Sequence, residues 1–184
     1  MPTKPTFRAY LALSLDGYIA DKKGAVKWLD KYNDASLGFE KFYRSIDAII
    51  VGRTTFDQSR SWGVWDNLTK RVIVLSSQPL KKPPPGVESF HGDVRRLARQ
   101  LARDGSEQVW LMGGGQSLRP FHDANLIHRW ELFIIPTLLG DGIPLFPKRK
   151  PSDNSLVLVK CKKHKRGIVE LHYEPAPRRS PHKK

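Results

Sequence analysis

Two glycine-bearing turns stand where a strand-like pattern gives way to a helix-like one: Gly52-Arg53-Thr54-Thr55 and Gly113-Gly114-Gly115-Gln116-Ser117. A helix start presents unpaired N–H groups and the positive end of its dipole, and glycine lets a phosphate approach the backbone closely. Two such turns in one sheet suit the two ends of a dinucleotide. Neither has the G-x-G-x-x-G spacing, and the first strand is followed by Asp16-Gly17 rather than by a phosphate loop, which disfavours a Rossmann domain. Arg53 stands within reach of a phosphate monoester, with the hydroxyls of Ser76 and Ser77 at the end of the next strand beside it. Together they suggest a 2′-phosphate pocket, because planar arginine donors match phosphate, whereas a pocket for the bare ribose usually presents a carboxylate. Taken singly, Arg53 also reads as a surface ion pair and Ser76-Ser77 as an ordinary turn.

Other chemistries lack their residues. The single cysteine, Cys161, makes no internal disulfide and builds no zinc site alone, and the six histidines show no metal-ligand spacing, so no metal is expected. The His-x-Glu and Pro-Cys-x-x-Cys ligands of a nucleobase deaminase are missing. Trp28, Trp62 and Trp65 pack around a cleft mouth or in the core, or offer a stacking surface to a flat heterocycle.

The elements that must position these residues follow from periodicity. A chain of 184 residues, 39% hydrophobic and 27% charged, suits one globular domain. It contains no run of about 20 apolar residues and no apolar core of a signal peptide near Met1, so a soluble, cytoplasmic protein without a membrane segment is expected. Thr6–Leu15 reads as a buried strand, and Asn33-Asp34 as an N-cap for a helix sharing Leu37, Phe39, Phe42 and Ile46 on one face, which Asp47 ends. Ala48–Val51, Arg71–Leu75, Val87–Phe90, Gln108–Met112 and Arg129–Pro136 read as strands. Asp93 caps a helix over Val94–Arg103, and Gln116–Asp123 is another. Leu156–Lys162 and Gly167–Glu174 alternate as a closing antiparallel pair with Lys163–Arg166 as its turn. The order predicts an α/β fold, mostly parallel with an antiparallel C-terminal edge, over residues 1–174, and a basic, disordered tail at 175–184.

Charge is unevenly placed. Lys148–Lys184 holds 12 of the 32 Lys and Arg against three acids, so it carries +9 of the net +14. Such a run binds polyanions by counterion release, although the aromatic–basic pattern of nucleic-acid readers is missing and a solvated strand and tail explain it as well.

The series Val51-Gly52-Arg53-Thr54-Thr55-Phe56, Arg71–Pro79 and Leu111-Met112-Gly113-Gly114-Gly115, in that order and spacing, resembles the NADPH-binding framework of dihydrofolate reductase. Ser14-Leu15-Asp16-Gly17-Tyr18-Ile19-Ala20 and Pro136–Phe146 are more similar to its sister group, stand-alone relatives of the reductase domain of the riboflavin-biosynthesis deaminase/reductase. The resemblance spans about Phe7 to Tyr173 and implies a dihydrofolate-reductase-like three-layer α/β/α fold.

That resemblance implies roles. Gly52, Arg53, Thr54 and Thr55 would cradle the adenosine side of NADPH, Ser76 and Ser77 its 2′-phosphate, and Gly113, Gly114, Gly115 and Gln116 its pyrophosphate. Asp16, Gly17 and Ile19 would lie at the substrate and nicotinamide end, though Asp16 paired with Gly17 is also a plain turn. If Phe42 is the family's substrate-stacking aromatic, the folate enzymes' carboxylate falls at Gly38, and their tyrosine after the glycines falls at Leu118, so folate reduction is not expected. The riboflavin relatives' acidic pair appears as Trp130-Glu131, leaving Asp16 and Glu131 as the carboxylates to donate a proton or orient water, with a water-facing strand position as the plain alternative for Glu131. The expected activity is NADPH-dependent hydride transfer to a C=N or C=O bond of a small heterocyclic or sugar-linked substrate, in a homodimer. A nucleotide-binding module without catalysis and a nucleic-acid-binding protein acting through the basic region are the alternatives.

Overall fold

A computed structural model describes residues 4–32, 37–60, 63–65, 69–147 and 155–177. The elements run β1 (Thr6–Ser14), β2 (Tyr18–Ala20), α1 (Phe39–Ser45), β3 (Ala48–Gly52), α2 (Arg53–Arg60), β4 (Arg71–Leu75), β5 (Val87–Phe90), α3 (Val94–Arg103), β6 (Gln108–Leu111), α4 (Gly115–Asp123), β7 (Ile127–Ile135), β8 (Ile143–Pro144), β9 (Leu156–Lys163) and β10 (Val169–Pro175). Eight strands form one sheet in the order β5-β4-β3-β6-β1-β7-β10-β9. From β5 through β7 every neighbouring pair is parallel, and β10 and β9 close the edge antiparallel. β2 and β8 make a separate two-stranded ladder.

The central strands are apolar throughout because both of their faces are covered; all five residues of β3 are buried. On one face α3 and α4 bring Val94, Leu97, Leu101, Leu118 and Phe121 against Phe7, Ala9 and Leu13. On the other, Phe42 of α1, Ile46 just after it and Phe56 of α2 pack against Ile49, Val51, Val72 and Val74. Full burial of a side chain such as Leu101 contributes about 2 kcal/mol. This is the three-layer, dihydrofolate-reductase-like α/β arrangement expected from the sequence, with its antiparallel C-terminal edge. Asp93 caps α3 through a hydrogen bond from the Arg95 amide.

Several local expectations change. Asn33 and Asp34 lie outside the described residues; α1 starts at Phe39 after Gly38, whose φ of +79° is left-handed and which makes no side-chain cap. Asp47 does not end that helix, which stops at Ser45; its carboxylate accepts the Glu107 and Gln108 amides instead, tying the start of β3 to β6. β7 begins two residues before Arg129, and α4 takes in Gly115. The turn of the closing hairpin lies slightly later than predicted, as a short 3-10 turn at Lys165–Gly167. No described helix is long and apolar enough to cross a membrane.

Candidate functional site

The two glycine turns meet. β3 and β6 are neighbours and end side by side, so α2 and α4 begin at the same end of the sheet. A Cβ on Gly52 would lie 2.0 Å from Ser117 Oγ, and one on Gly114 would lie 3.4 Å from the same atom and 3.7 Å from Thr55 Oγ1. Ser117 is therefore seated on the bare backbone of Gly52, while Thr55 stands at ordinary contact distance from Gly114. Gly113 and Gly114, with φ of +124° and +78°, take the chain through conformations that side chains resist, and Gly114 O accepts the Ser117 and Leu118 amides to start α4. Two helix N-termini facing a glycine-floored cradle suit a diphosphate. Gly113 and Gly115 are buried, while Thr54 and Gln116 are exposed at the rim.

Beside this cradle, Arg53 opens α2 and Ser76 follows β4. Arg53 Nη1 lies 3.4 Å from Ser76 Oγ, and Arg53 Nε donates to Asp57 Oδ2 at 2.6 Å. A cavity of about 480 Å³ begins at Leu75, Ser76 and Ser77 and is closed by Phe90, Val94 and Pro120. Its apolar walls and polar mouth suit an aromatic base with a charged group at one end.

Asp16 lies past the end of β1, and its carboxylate is crowded with donors: the Ser14 hydroxyl at 2.6 Å, the Gly140 amide at 2.7 Å and the Leu139 amide at 3.1 Å. The Ser14 bond, with those of the two amides, holds the Asp16 carboxyl below the usual carboxylate range. The group clasps the β1–β2 turn to the segment after β7. Leu145 N donates to Gly17 O, and a Cβ on Gly115 would lie 2.5 Å from Leu145 O, so residues 137–147 span from the Asp16 turn to the triple-glycine turn. Ile19 is half-buried within this corner and packs on the α3–α4 core.

Glu131 and Phe42 do not join these residues. Glu131 lies opposite Tyr10 in the middle of β1 and is 2% exposed, with both carboxylate oxygens on Arg8 Nη2 at 2.7 and 3.0 Å. That replaces the water-facing strand position with a buried ion pair and gives Glu131 no path to the end of β1. Phe42 is 5% exposed; its ring stacks on Tyr10 at 4.0 Å, meets Trp110 edge-on at 5.4 Å and carries the Arg8 guanidinium 4.7 Å above its centroid. It is a core residue rather than a substrate wall, because Tyr10 occupies the space a flat ligand would need. Trp65 is likewise core, hydrogen-bonded to Ser59 and packed on Phe56; Trp28 packs beside Phe133 and Ile135; Trp62 lies outside the described residues.

Sequence reasoning did not single out Ser14, Asp57 or Ser117. Ser14 carries a local signal, a hydroxyl two residues before an aspartate in a turn. Asp57 carries another, an acid one helical turn after Arg53. Ser117 carries none, since its partner Gly52 lies far away in the chain.

The sequence matches the profile of the RibD C-terminal domain over residues 5–173. Among solved structures, a putative riboflavin biosynthesis protein from Shewanella sp. PV-4 superposes with a TM-score of 0.83 at 28% identity, covering 94% of this chain and 99% of its own. The diaminohydroxyphosphoribosylaminopyrimidine deaminase/5-amino-6-(5-phosphoribosylamino)uracil reductase of Thermotoga maritima gives 0.73 at 19% identity, over 94% of this chain and 57% of the bifunctional protein. Dihydrofolate reductase from Enterococcus faecalis, in complex with NADP(H), gives 0.68 at 19% identity over 96% and 100%. The latter two share the fold.

Proposed function

Since this chain belongs to the RibD C-terminal domain family, we propose that it is an NADPH-dependent reductase acting on a C=N or C=O bond of a small heterocyclic or sugar-linked substrate. The observation that carries the reading is the meeting of the two glycine turns over Ser117, beside an arginine set against Ser76. The residues fit the cofactor: the left-handed backbone of Gly113 and Gly114 with two helix starts for the pyrophosphate, Arg53 set against Ser76 for the 2′-phosphate, and the groove that Ser76 lines for adenine.

Bound NADPH would supply a hydride from its nicotinamide ring to the substrate carbon. The protein's own work is orientation and exclusion of water. The Asp16 clasp fixes the β1–β2 turn against Leu139 and Gly140, giving the substrate end a defined wall. Because Asp16 is held ionised and already accepts three groups, it serves as a positioning residue that orients a water at its carboxylate, and the proton comes from that water. Glu131 is committed to Arg8 within the sheet.

A module that binds the nucleotide without turning it over is favoured by one observation, the three donor groups already engaged with the Asp16 carboxylate. Titration of tryptophan fluorescence with NADPH and NADH, with Arg53→Ala alongside, tests the shared premise. Loss of a charged hydrogen-bonding partner weakens NADPH binding by at least about tenfold and leaves NADH unchanged; failure of the unaltered protein to bind either nucleotide overturns the reading. Oxidation of bound NADPH by carbonyl or imine compounds then separates reductase from module.

We also infer a homodimer. Every residue of β9 is exposed, including the consecutive Leu156, Val157, Leu158 and Val159 at 42–50%, on an edge strand whose outer backbone groups have no strand beside them among the described residues. A second copy of the chain offers the same apolar edge.

A further inference from the structure

We propose that Asp57 is a specificity-determining positioning residue: by fixing the Arg53 guanidinium it sets the groove for a 2′-phosphorylated adenosine and against the unphosphorylated one. The proposal rests on the NADPH reading above and names the residue on which its selectivity turns.

Arg53 and Asp57 lie one turn apart on α2, on the same face of the helix. The bond from Arg53 Nε to Asp57 Oδ2, at 2.6 Å, takes up the guanidinium edge nearest the helix. What remains for a ligand is the far end, where Nη1 already points at Ser76 Oγ. Ser76 is fixed in its turn, donating to Gln78 O at 2.6 Å and accepting the Gln78 amide at 3.1 Å. The protein thus holds Arg53 in one arrangement against Ser76, which lines the mouth of the groove.

Two consequences follow from that arrangement. An unrestrained arginine is ordered only when it captures its anion, and the rotamer freedom lost then subtracts from affinity; Asp57 meets that cost before the ligand arrives. The end-on fork also matches a phosphate monoester, which offers several oxygens to parallel donors. The same carboxylate works against the bare ribose. In pockets for the unphosphorylated nucleotide an acid accepts the 2′-hydroxyl, but here the acid is turned to the arginine.

The test uses the full chain and three probes: NADPH, NADH and 2′,5′-ADP, each titrated against the unaltered protein, Asp57→Ala and Asp57→Asn. The side chain of Asp57 is 50% exposed, so both variants keep the fold, and NADH binding reports on the rest of the cradle. Asp57→Ala weakens NADPH and 2′,5′-ADP about tenfold, the cost of ordering one long side chain, and leaves NADH unchanged. Asp57→Asn keeps an oxygen for Arg53 Nε and stays within about twofold of the unaltered protein. NADPH binding by Asp57→Ala that equals or exceeds that of the unaltered protein, or an equal loss of NADH, overturns the assignment. If the unaltered protein binds NADH but shows no preference for NADPH or 2′,5′-ADP, the selectivity assignment fails and a nucleotide site survives. If it binds none of the three, the NADPH reading falls and takes this assignment with it.

Discussion

Ser117 Oγ lies 2.0 Å from the point where a Cβ on Gly52 would stand, and Ser117 Cβ lies 3.3 Å from it. The first turn of α4 therefore rests directly on the end of β3, and the cradle between the two turns exists because position 52 has no side chain.

Gly52→Ala breaks that contact. Overpacking of this kind costs about 1–3 kcal/mol, so the variant unfolds at lower urea concentration and binds NADPH more weakly. Adding Ser117→Ala removes the oxygen and leaves only the Cβ at 3.3 Å, closer than an ordinary contact, so it recovers part of both losses. Equal behaviour of the single and double variants in urea unfolding would show that the contact is not what Gly52 protects.

Glu170 makes acid stability measurable. Its carboxylate accepts Lys160 Nζ and pairs with His164 Nε2 at 2.7 Å and His172 Nε2 at 2.6 Å. Burial alone would raise this carboxyl, but Lys160, His164 and His172 outweigh it and hold the group down to about 2 from an ordinary 4.5. With the folded value below the unfolded one, the contribution is complete above about pH 4.5 and disappears as pH falls toward about 2. Urea unfolding of the unaltered protein and Glu170→Gln at pH 6 and pH 2 should differ less at the lower pH. A difference independent of pH would remove Glu170 from the acid response.

The β9 edge predicts association. Leu158→Lys places a charge in the middle of the exposed apolar run and shifts the protein from dimer to monomer in light scattering coupled to gel filtration, with the unfolding midpoint of the monomer little changed. A monomeric unaltered protein would overturn the homodimer, and a dimer indifferent to Leu158→Lys would place its interface on another surface.

The sequence was most legible where signals are local. Asp93 followed by Val94, Leu97 and Leu101 on one face marks α3 with its cap, and the β3–Gly52–α2 and β6–glycine–α4 junctions announce themselves within a few residues. The β2–β8 ladder escaped because it has only a few rungs and joins residues more than a hundred positions apart. Phe42 shows the limit of periodicity, which places a side chain inward without saying that Tyr10 already fills the space before it. Glu131 shows the same limit for charge: its partner Arg8 is set by the register of β1 against β7, which no local pattern carries. The Asp16 turn was visible, but the Leu139 and Gly140 amides that occupy its carboxylate were not.

Residues 137–147 touch both ends of the candidate site without belonging to either. Leu145 uses its amide to hold Gly17 O and sets its carbonyl against Gly115, where a methyl would come within 2.5 Å; Gly142 sits equally close on Ala20 O, at 2.2 Å for the same construction. These are hard backbone-to-backbone bearings with no side chain to yield between them. The segment is in effect a yoke: the Asp16 turn and the triple-glycine turn cannot shift independently, so under the proposed reading a nucleotide that settled the triple-glycine turn would also set the position of Asp16.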